Sequence, residues 1–260
     1  MSHQARKRFG QNFLHDNNVI QRIVNAINPR PGDRLVEIGP GQGAITRPLL
    51  DAIGELVVIE LDRDLLEPLA RNCGAHGRLQ IINEDALKFD FAALVEDTPI
   101  RLAGNLPYNI STPLLFHLLD FAEHIQDMFF MLQNEVVDRL AAKPDSRDYG
   151  RLSVMMQTRC QVNKLFTVGP GAFRPEPKVD SALVQLMPRR KALTRIDNPA
   201  FFEKLVKQAF AQRRKTLRNN LRTVADAEAI QAAGIDPGQR AETLSIEQFA
   251  RLANRLEKAG

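Results

Sequence analysis

Leu35-Val36-Glu37-Ile38-Gly39-Pro40-Gly41-Gln42-Gly43 joins a short apolar run to a glycine-rich turn, with a helix-like segment after it. A strand that ends in such a turn and opens a helix is the nucleotide-binding corner of an α/β sheet, because glycines let the backbone turn sharply and approach a ligand closely. A pyrophosphate site would space its glycines as Gly-x-Gly-x-x-Gly. Here the third glycine comes one residue early and an acid, Glu37, ends the strand. That pattern suits an uncharged or cationic ligand better than a diphosphate, so an NAD-dependent dehydrogenase fits poorly.

Outward from this corner, apolar runs recur at Leu56-Val57-Val58-Ile59, Leu79-Gln80-Ile81-Ile82, Ile100-Arg101-Leu102-Ala103 and Met128-Phe129-Phe130-Met131, each a helix length from the next. Strands alternating with helices predict βαβ units and a mostly parallel sheet. Two closer runs, Gln161 to Val168 and Ala182 to Met187, read as a terminal hairpin on that sheet. Upstream, Asp16 caps a predicted helix carrying Val19, Ile20, Ile23, Val24 and Ile27 at helical spacing. Pro48 and Pro68 fall in helix-like segments, each expected in a first turn or at a kink. Past Pro188-Arg189-Arg190-Lys191 the strand signals stop, and from about Asn198 the pattern is helical, broken at Gly234-Ile235-Asp236-Pro237-Gly238. The boundary expected near residue 190 divides the chain into 1–190 and 191–260.

The chain has 260 residues, 44% of them hydrophobic, enough for one large core with a smaller second domain. No run nears the roughly 18 apolar residues of a membrane span, and the N-terminus lacks a signal-like apolar stretch, so a cytoplasmic protein is expected. Cys73 and Cys160 are too few for a disulfide framework or a closed zinc site, and no metal is expected. Net charge is only +4, so the position of the basic residues matters more than their number.

Acids recur at the ends of the predicted strands. Glu60-Leu61-Asp62 follows the second about 20 residues beyond the glycine turn, where an acid accepts ribose hydroxyls. Asn83-Glu84-Asp85 follows the third, with Asp85 placed to accept an adenine amino group. Asp62 and Asp85 also suit helix capping. Taken with Gly39 and Gly41, the acids describe an adenosine of neutral or positive charge, as S-adenosylmethionine is.

Gly104-Asn105-Leu106-Pro107-Tyr108 ends the fourth strand, at the edge where open α/β sheets bind ligands. An exocyclic adenine amine is a poor nucleophile because its lone pair is delocalised into the ring. The Asn105 oxygen and a nearby carbonyl, that of Leu106, would accept both amine hydrogens and turn the lone pair toward a methyl donor. Pro107 offers no competing N–H, and Tyr108 offers a face on which the base stacks. Phe173, in the proline-stiffened stretch Phe173 to Ser181, is a candidate second wall, although an isolated aromatic also suits a core.

With these residues in place, the chain resembles the ribosomal RNA adenine N6,N6-dimethyltransferases, and among them the bacterial small-subunit branch. The likeness is carried by Arg8 to Leu14, Glu37 to Gly43, Glu60 to Asp62, Asp85 to Leu87, Asn105 to Tyr108, Pro175 to Ser181 and Phe210 to Leu217. Ile45 and Glu84 are mild departures. The resemblance implies a Rossmann-like class I methyltransferase sheet with a small C-terminal all-α domain. It further implies dimethylation of two adjacent adenosines in the 3′-terminal hairpin loop of 16S rRNA, within the small ribosomal subunit and as part of ribosome biogenesis. By resemblance alone, Asn12 and Leu14 would join Gly39, Glu60, Asp85 and Asn105 in holding S-adenosylmethionine.

Val206, Phe210, Leu217 and Leu221 share one helical face, and Lys207, Arg214, Arg218 and Arg222 a neighbouring one, with Arg213 and Lys215 beside them. Such a stripe is a solvated face or an RNA phosphate track; few acids balance it, and Arg6-Lys7-Arg8 and Arg189-Arg190-Lys191 add to it. A monomer is expected. The alternatives are a large-subunit adenine methyltransferase of the macrolide-resistance type, which shares the tetrad, and a non-catalytic ribosome-assembly or nucleic-acid-binding factor.

Overall fold

The computed structural model describes residues 11–259, so Arg6-Lys7-Arg8, Phe9 and Gly10 lie outside the described residues. A short strand, β1 (Phe13–Leu14), precedes α1 (Asn17–Ile27). Asp16 caps α1 by accepting from the amides of Asn18 and Val19, and Asn28 closes it in the left-handed region at φ 49°. There follow β2 (Leu35–Ile38), α2 (Thr46–Ile53), β3 (Glu55–Ile59), α3 (Arg63–Cys73), β4 (Arg78–Ile82), β5 (Ile100–Asn105), α4 (Ser111–Leu119) and β6 (Ile125–Gln133). After these come α5 (Asn134–Ala141), α6 (Arg151–Arg159), β7 (Cys160–Val168), β8 (Phe173–Arg174) and β9 (Ser181–Pro188). The helices α7 (Pro199–Ala209), α8 (Leu217–Asn220), α9 (Ala227–Ala232) and α10 (Ile246–Ala259) complete the chain.

Seven strands form one sheet in the order β4-β3-β2-β5-β6-β9-β7. The five from β4 to β6 are parallel, and β9 runs antiparallel to β6. All the runs read as strands are present. The winding direction reverses between β2 and β5, which opens a crevice beyond their C-terminal ends. Gly104 lets β2 and β5 close up there: a Cβ on it would lie 2.4 Å from the Ile38 carbonyl oxygen. Arg101, a charge in an otherwise apolar strand, is buried on Asp127 (2.8 and 3.0 Å), Asp33 (2.6 Å) and the Ile27 carbonyl (2.7 Å). Burial with those partners meets the need of a desolvated guanidinium for acceptors on each edge.

Pro48 sits in the first turn of α2, whereas Pro68 lies inside α3 rather than in its first turn. Cys73 and Cys160 are buried thiols without a disulfide; burial pushes them up to about 11 and about 12. Among the described residues no helix is long and apolar enough to cross a membrane.

The chain divides into two compact units, and the boundary is not the single break expected near residue 190. One unit runs through Val137 and resumes at Val162–Pro188; the other holds Asp138–Gln161 and the chain from Arg189 onward. The segment 138–159, ahead of β7, therefore belongs with the helices rather than the sheet. Ala142, Tyr149 and Val154 enter the same apolar cluster as Phe202, Val206, Leu217 and Phe249. Periodicity marks a helix and its apolar face but not which core receives that face.

The amphipathic stretch from Val206 to Arg222 is also corrected, because it is not one helix. α7 ends at Ala209 and α8 starts only at Leu217. Buried Asn220 donates to the carbonyls of Ala209 (2.6 Å) and Gln212 (3.0 Å), closing the intervening turn. Val206, Leu217 and Leu221 are nevertheless all buried.

Candidate active site

A cleft of about 310 Å³ lies at the reversal of the sheet, lined by Gln11 to Leu14, the glycine turn, Glu60, Leu61, Glu84 to Ala86 and Asn105 to Ile110. It gathers Asn12, Leu14, Gly39, Gly41, Glu60, Asp85 and the whole Asn105 to Tyr108 tetrad. Gly39 (φ 67°) and Gly41 (φ 56°) hold the turn in left-handed conformations that favour glycine. A Cβ on Gly41 would press the Phe13 ring at 3.1 Å, so this glycine also makes room for the N-terminal strand.

The acids serve the backbone and the cleft together. Glu60, 7% exposed, accepts from the Asp62 amide at 2.8 Å and the Gly41 amide at 3.3 Å. Burial raises its carboxyl against those amides, which favour the charged form. Asp62 caps α3 through the Asp64 amide and also accepts from the Gln11 side chain at 3.0 Å. In Asp85 one oxygen accepts from the Leu87 amide at 3.0 Å. Backbone amides thus occupy part of each acid, Asp62 as a helix cap and Glu60 and Asp85 in turns.

Glu37 is 1% exposed and accepts from the Thr46 hydroxyl at 2.6 Å. Burial pushes its carboxyl from the ordinary 4.5 up to about 7. A folded-state value above the unfolded one means stability that is present at low pH and lost as pH rises through that window. Glu37→Gln should therefore gain stability over the parent as pH rises from 5 to 8, by at most about 3 kcal/mol. Urea unfolding of both proteins at the two pH values measures this, and a pH-independent difference would refute it.

Asn105 lies at the end of β5, and its Nδ2 donates to the Asn12 carbonyl at 2.8 Å. A carbonyl only accepts, so the amide is oriented with its oxygen at the other end. The Leu106 amide donates to the Met131 carbonyl at 3.2 Å. Among the described residues no donor reaches the Leu106 carbonyl. The Tyr108 hydroxyl pairs with Ser181 Oγ at 2.8 Å.

Phe173 does not join them. It is 1% exposed, part of the core cluster, and absent from the cleft lining. In β8 it sits opposite Leu14 of β1, and the alternation of a strand turns its ring into the core while neighbouring Arg174 faces out. Gln11, Phe13, Thr46 and Ser181 were not given roles from sequence. The partners of Gln11, Phe13 and Ser181 are remote in the chain, and Thr46 meets Glu37 across the glycine turn, so no spacing marks them.

The family described as ribosomal RNA adenine dimethylase matches residues 2–258. The chain belongs to the ribosomal RNA adenine dimethylase family. Among its relatives, the protein named ribosomal RNA small subunit methyltransferase A from Xanthomonas campestris pv. campestris is 58% identical over 96% of this chain and 95% of its own length. The protein of the same name from Pseudomonas aeruginosa is 56% identical over 98% and 95%. In solved structures, a dimethyladenosine transferase from Plasmodium falciparum superposes with TM-score 0.81 at 23% identity, covering 95% of this chain and 98% of that one. The 23S rRNA methyltransferase ErmE does so with TM-score 0.71 at 27% identity, covering 95% and 100%. The fold is that of a class I methyltransferase.

Enzymes of this dimethylase family use S-adenosylmethionine, and the cleft fits it. Buried Glu60 and half-buried Asp85 place carboxyl groups on the cleft, and Gly39 and Gly41 bring backbone close to it. Among the basic residues, Lys207, Arg214, Lys215, Arg218 and Arg222 are exposed. Arg213 differs: it pairs with Glu242 at 3.1 Å and donates to the Arg147 carbonyl, so it is a structural tie rather than a free cation.

Proposed function

We propose that the chain dimethylates N6 of two adjacent adenosines in the 3′-terminal hairpin loop of 16S rRNA, acting as a cytoplasmic monomer on the small ribosomal subunit during its biogenesis. The observation that carries the chemistry is the orientation of Asn105, whose amide nitrogen is spent on the Asn12 carbonyl. Its oxygen is left to accept one amine hydrogen, and the Leu106 carbonyl accepts the other. With both hydrogens held, the adenine nitrogen turns its lone pair out of the ring's conjugation. S-adenosylmethionine, held by Asn12, Leu14, Gly39, Gly41, Glu60 and Asp85, supplies the electrophilic methyl group. Pro107 keeps a competing N–H out of the pocket, and Tyr108 stacks the base for roughly 1–3 kcal/mol. No strong base is needed, since the nitrogen sheds its proton readily once methylated. After the first transfer one N–H remains for these acceptors to hold in the second.

The choice of small-subunit RNA is supported by relatives at 58% and 56% identity named for it, against 27% for the large-subunit enzyme. Incubating the protein and S-adenosylmethionine with unmethylated small subunits should yield N6,N6-dimethyladenosine by mass spectrometry. No product, or product only on large-subunit RNA, would overturn the reading.

Lys207, Arg214, Arg218 and Arg222 are assigned to RNA phosphates, whereas Arg213 is spent on Glu242 and the Arg147 carbonyl. Replacing Arg214 and Arg218 together by Ala should weaken subunit binding and lower the slope of log K against log salt by about 2. Unchanged affinity and slope would show that this surface does not bear on RNA.

A further inference from the structure

Tyr108 belongs to the segment between β5 and α4, where only its backbone is held locally, by the Ser111 hydroxyl donating to its carbonyl at 3.0 Å. A ring on such a segment turns about two side-chain torsions, so a stacking plane must be set from elsewhere. The Tyr108 hydroxyl meets Ser181 Oγ at 2.8 Å. Ser181 is 0% exposed and opens β9, in register with Gln133 of β6. Beside it the Asn134 amide donates to the Asp180 carbonyl at 2.9 Å. The far end of the ring is therefore fastened to the sheet itself, which is stiffer than the turn that carries the tyrosine. The bond also satisfies Ser181, which without it would be a buried hydroxyl lacking this partner.

We propose that Ser181 is a positioning residue for methyl transfer: by holding the Tyr108 hydroxyl it sets the plane of the ring on which the target adenine stacks. The proposal rests on the reading of Tyr108 as the base platform. Burial raises the Tyr108 phenol, so it stays protonated at neutral pH and able to share a hydrogen bond. The role differs from that of Asn105, because Ser181 acts only through another side chain.

A double-mutant cycle of Ser181→Ala and Tyr108→Phe, assayed by methyl transfer to unmethylated small subunits, tests it. Each single change removes the same hydrogen bond and leaves the ring, so each should lower kcat/KM by roughly five- to tenfold, the worth of one net hydrogen bond. The double variant should lose no more than either single one. Ser181→Thr keeps a hydroxyl and should recover most of the loss. If Ser181→Ala costs the same factor in the Tyr108→Phe background as in the parent, Ser181 acts through the fold alone and the proposal is wrong. Activity of Ser181→Ala or of Tyr108→Phe equal to the parent overturns it as well; should Ser181→Ala not fold, Tyr108→Phe still reads the bond. A parent protein that methylates no ribosomal RNA overturns the assigned activity. A parent that does, with Ser181→Ala keeping pace, overturns only the role of Ser181.

Discussion

Asn105→Ala should lose about 10²–10³ in kcat, the usual cost of removing one acceptor or donor aimed at a developing transition state. Affinity for the small subunit should change little, because the basic surface is untouched, and the loss of affinity for S-adenosylmethionine should be much smaller than the loss in kcat, because Glu60 and Asp85 are kept. Single-turnover methylation, with calorimetry for the cofactor and filter binding for the subunit, separates these quantities. A loss confined to binding would reassign Asn105 to cofactor recognition. Asn105→Asp is the sharper companion: its carboxylate would face the Asn12 carbonyl that now accepts from Nδ2 at 2.8 Å. Two acceptors repel there, so this variant should turn over no faster than the alanine one despite an oxygen of the same shape.

Glu60→Ala should raise the Kd for S-adenosylmethionine by about 10²-fold or more. Two losses combine. The ribose loses a charged acceptor, at about 1.5–3 kcal/mol for a hydrogen bond to a charged group. The amides of Asp62 and Gly41, which Glu60 now accepts from at 2.8 and 3.3 Å, lose their partner, and with it the shape of the turn. Glu60→Gln keeps an oxygen for one amide and should fall between the alanine variant and the parent. Isothermal titration calorimetry measures all three, and a Kd for Glu60→Ala within threefold of the parent would remove Glu60 from the cofactor site.

The strands and the glycine turn were legible because their signals are local. Apolar residues at strand spacing, a helix length apart, specify βαβ units wherever they occur. The glycine turn and the acids at strand ends were legible for a related reason. Parallel strands all present their C-terminal ends at one edge, so residues ending β2, β3, β4 and β5 meet without any need to know the packing. Phe173 was misjudged because a ring in a proline-rich stretch reads alike whether it faces a cleft or a core. Its burial in the core cluster, away from the cleft lining, decided the matter.

By itself, then, the amino-acid order determined the sheet, the edge that carries the site, and the residue types needed to bind an adenosine and polarise an amine. Tertiary structure alone decided which way those groups point. The Asn105 amide is oriented by a carbonyl 93 residues away, and the Tyr108 hydroxyl is held by a serine 73 residues away. Arg213 is drawn to Glu242, and the segment 138–159 joins the helical core rather than the core of the sheet. Periodicity and turn chemistry are properties of neighbours in sequence. Hydrogen-bond partners and core membership are properties of neighbours in space, and no local pattern encodes them.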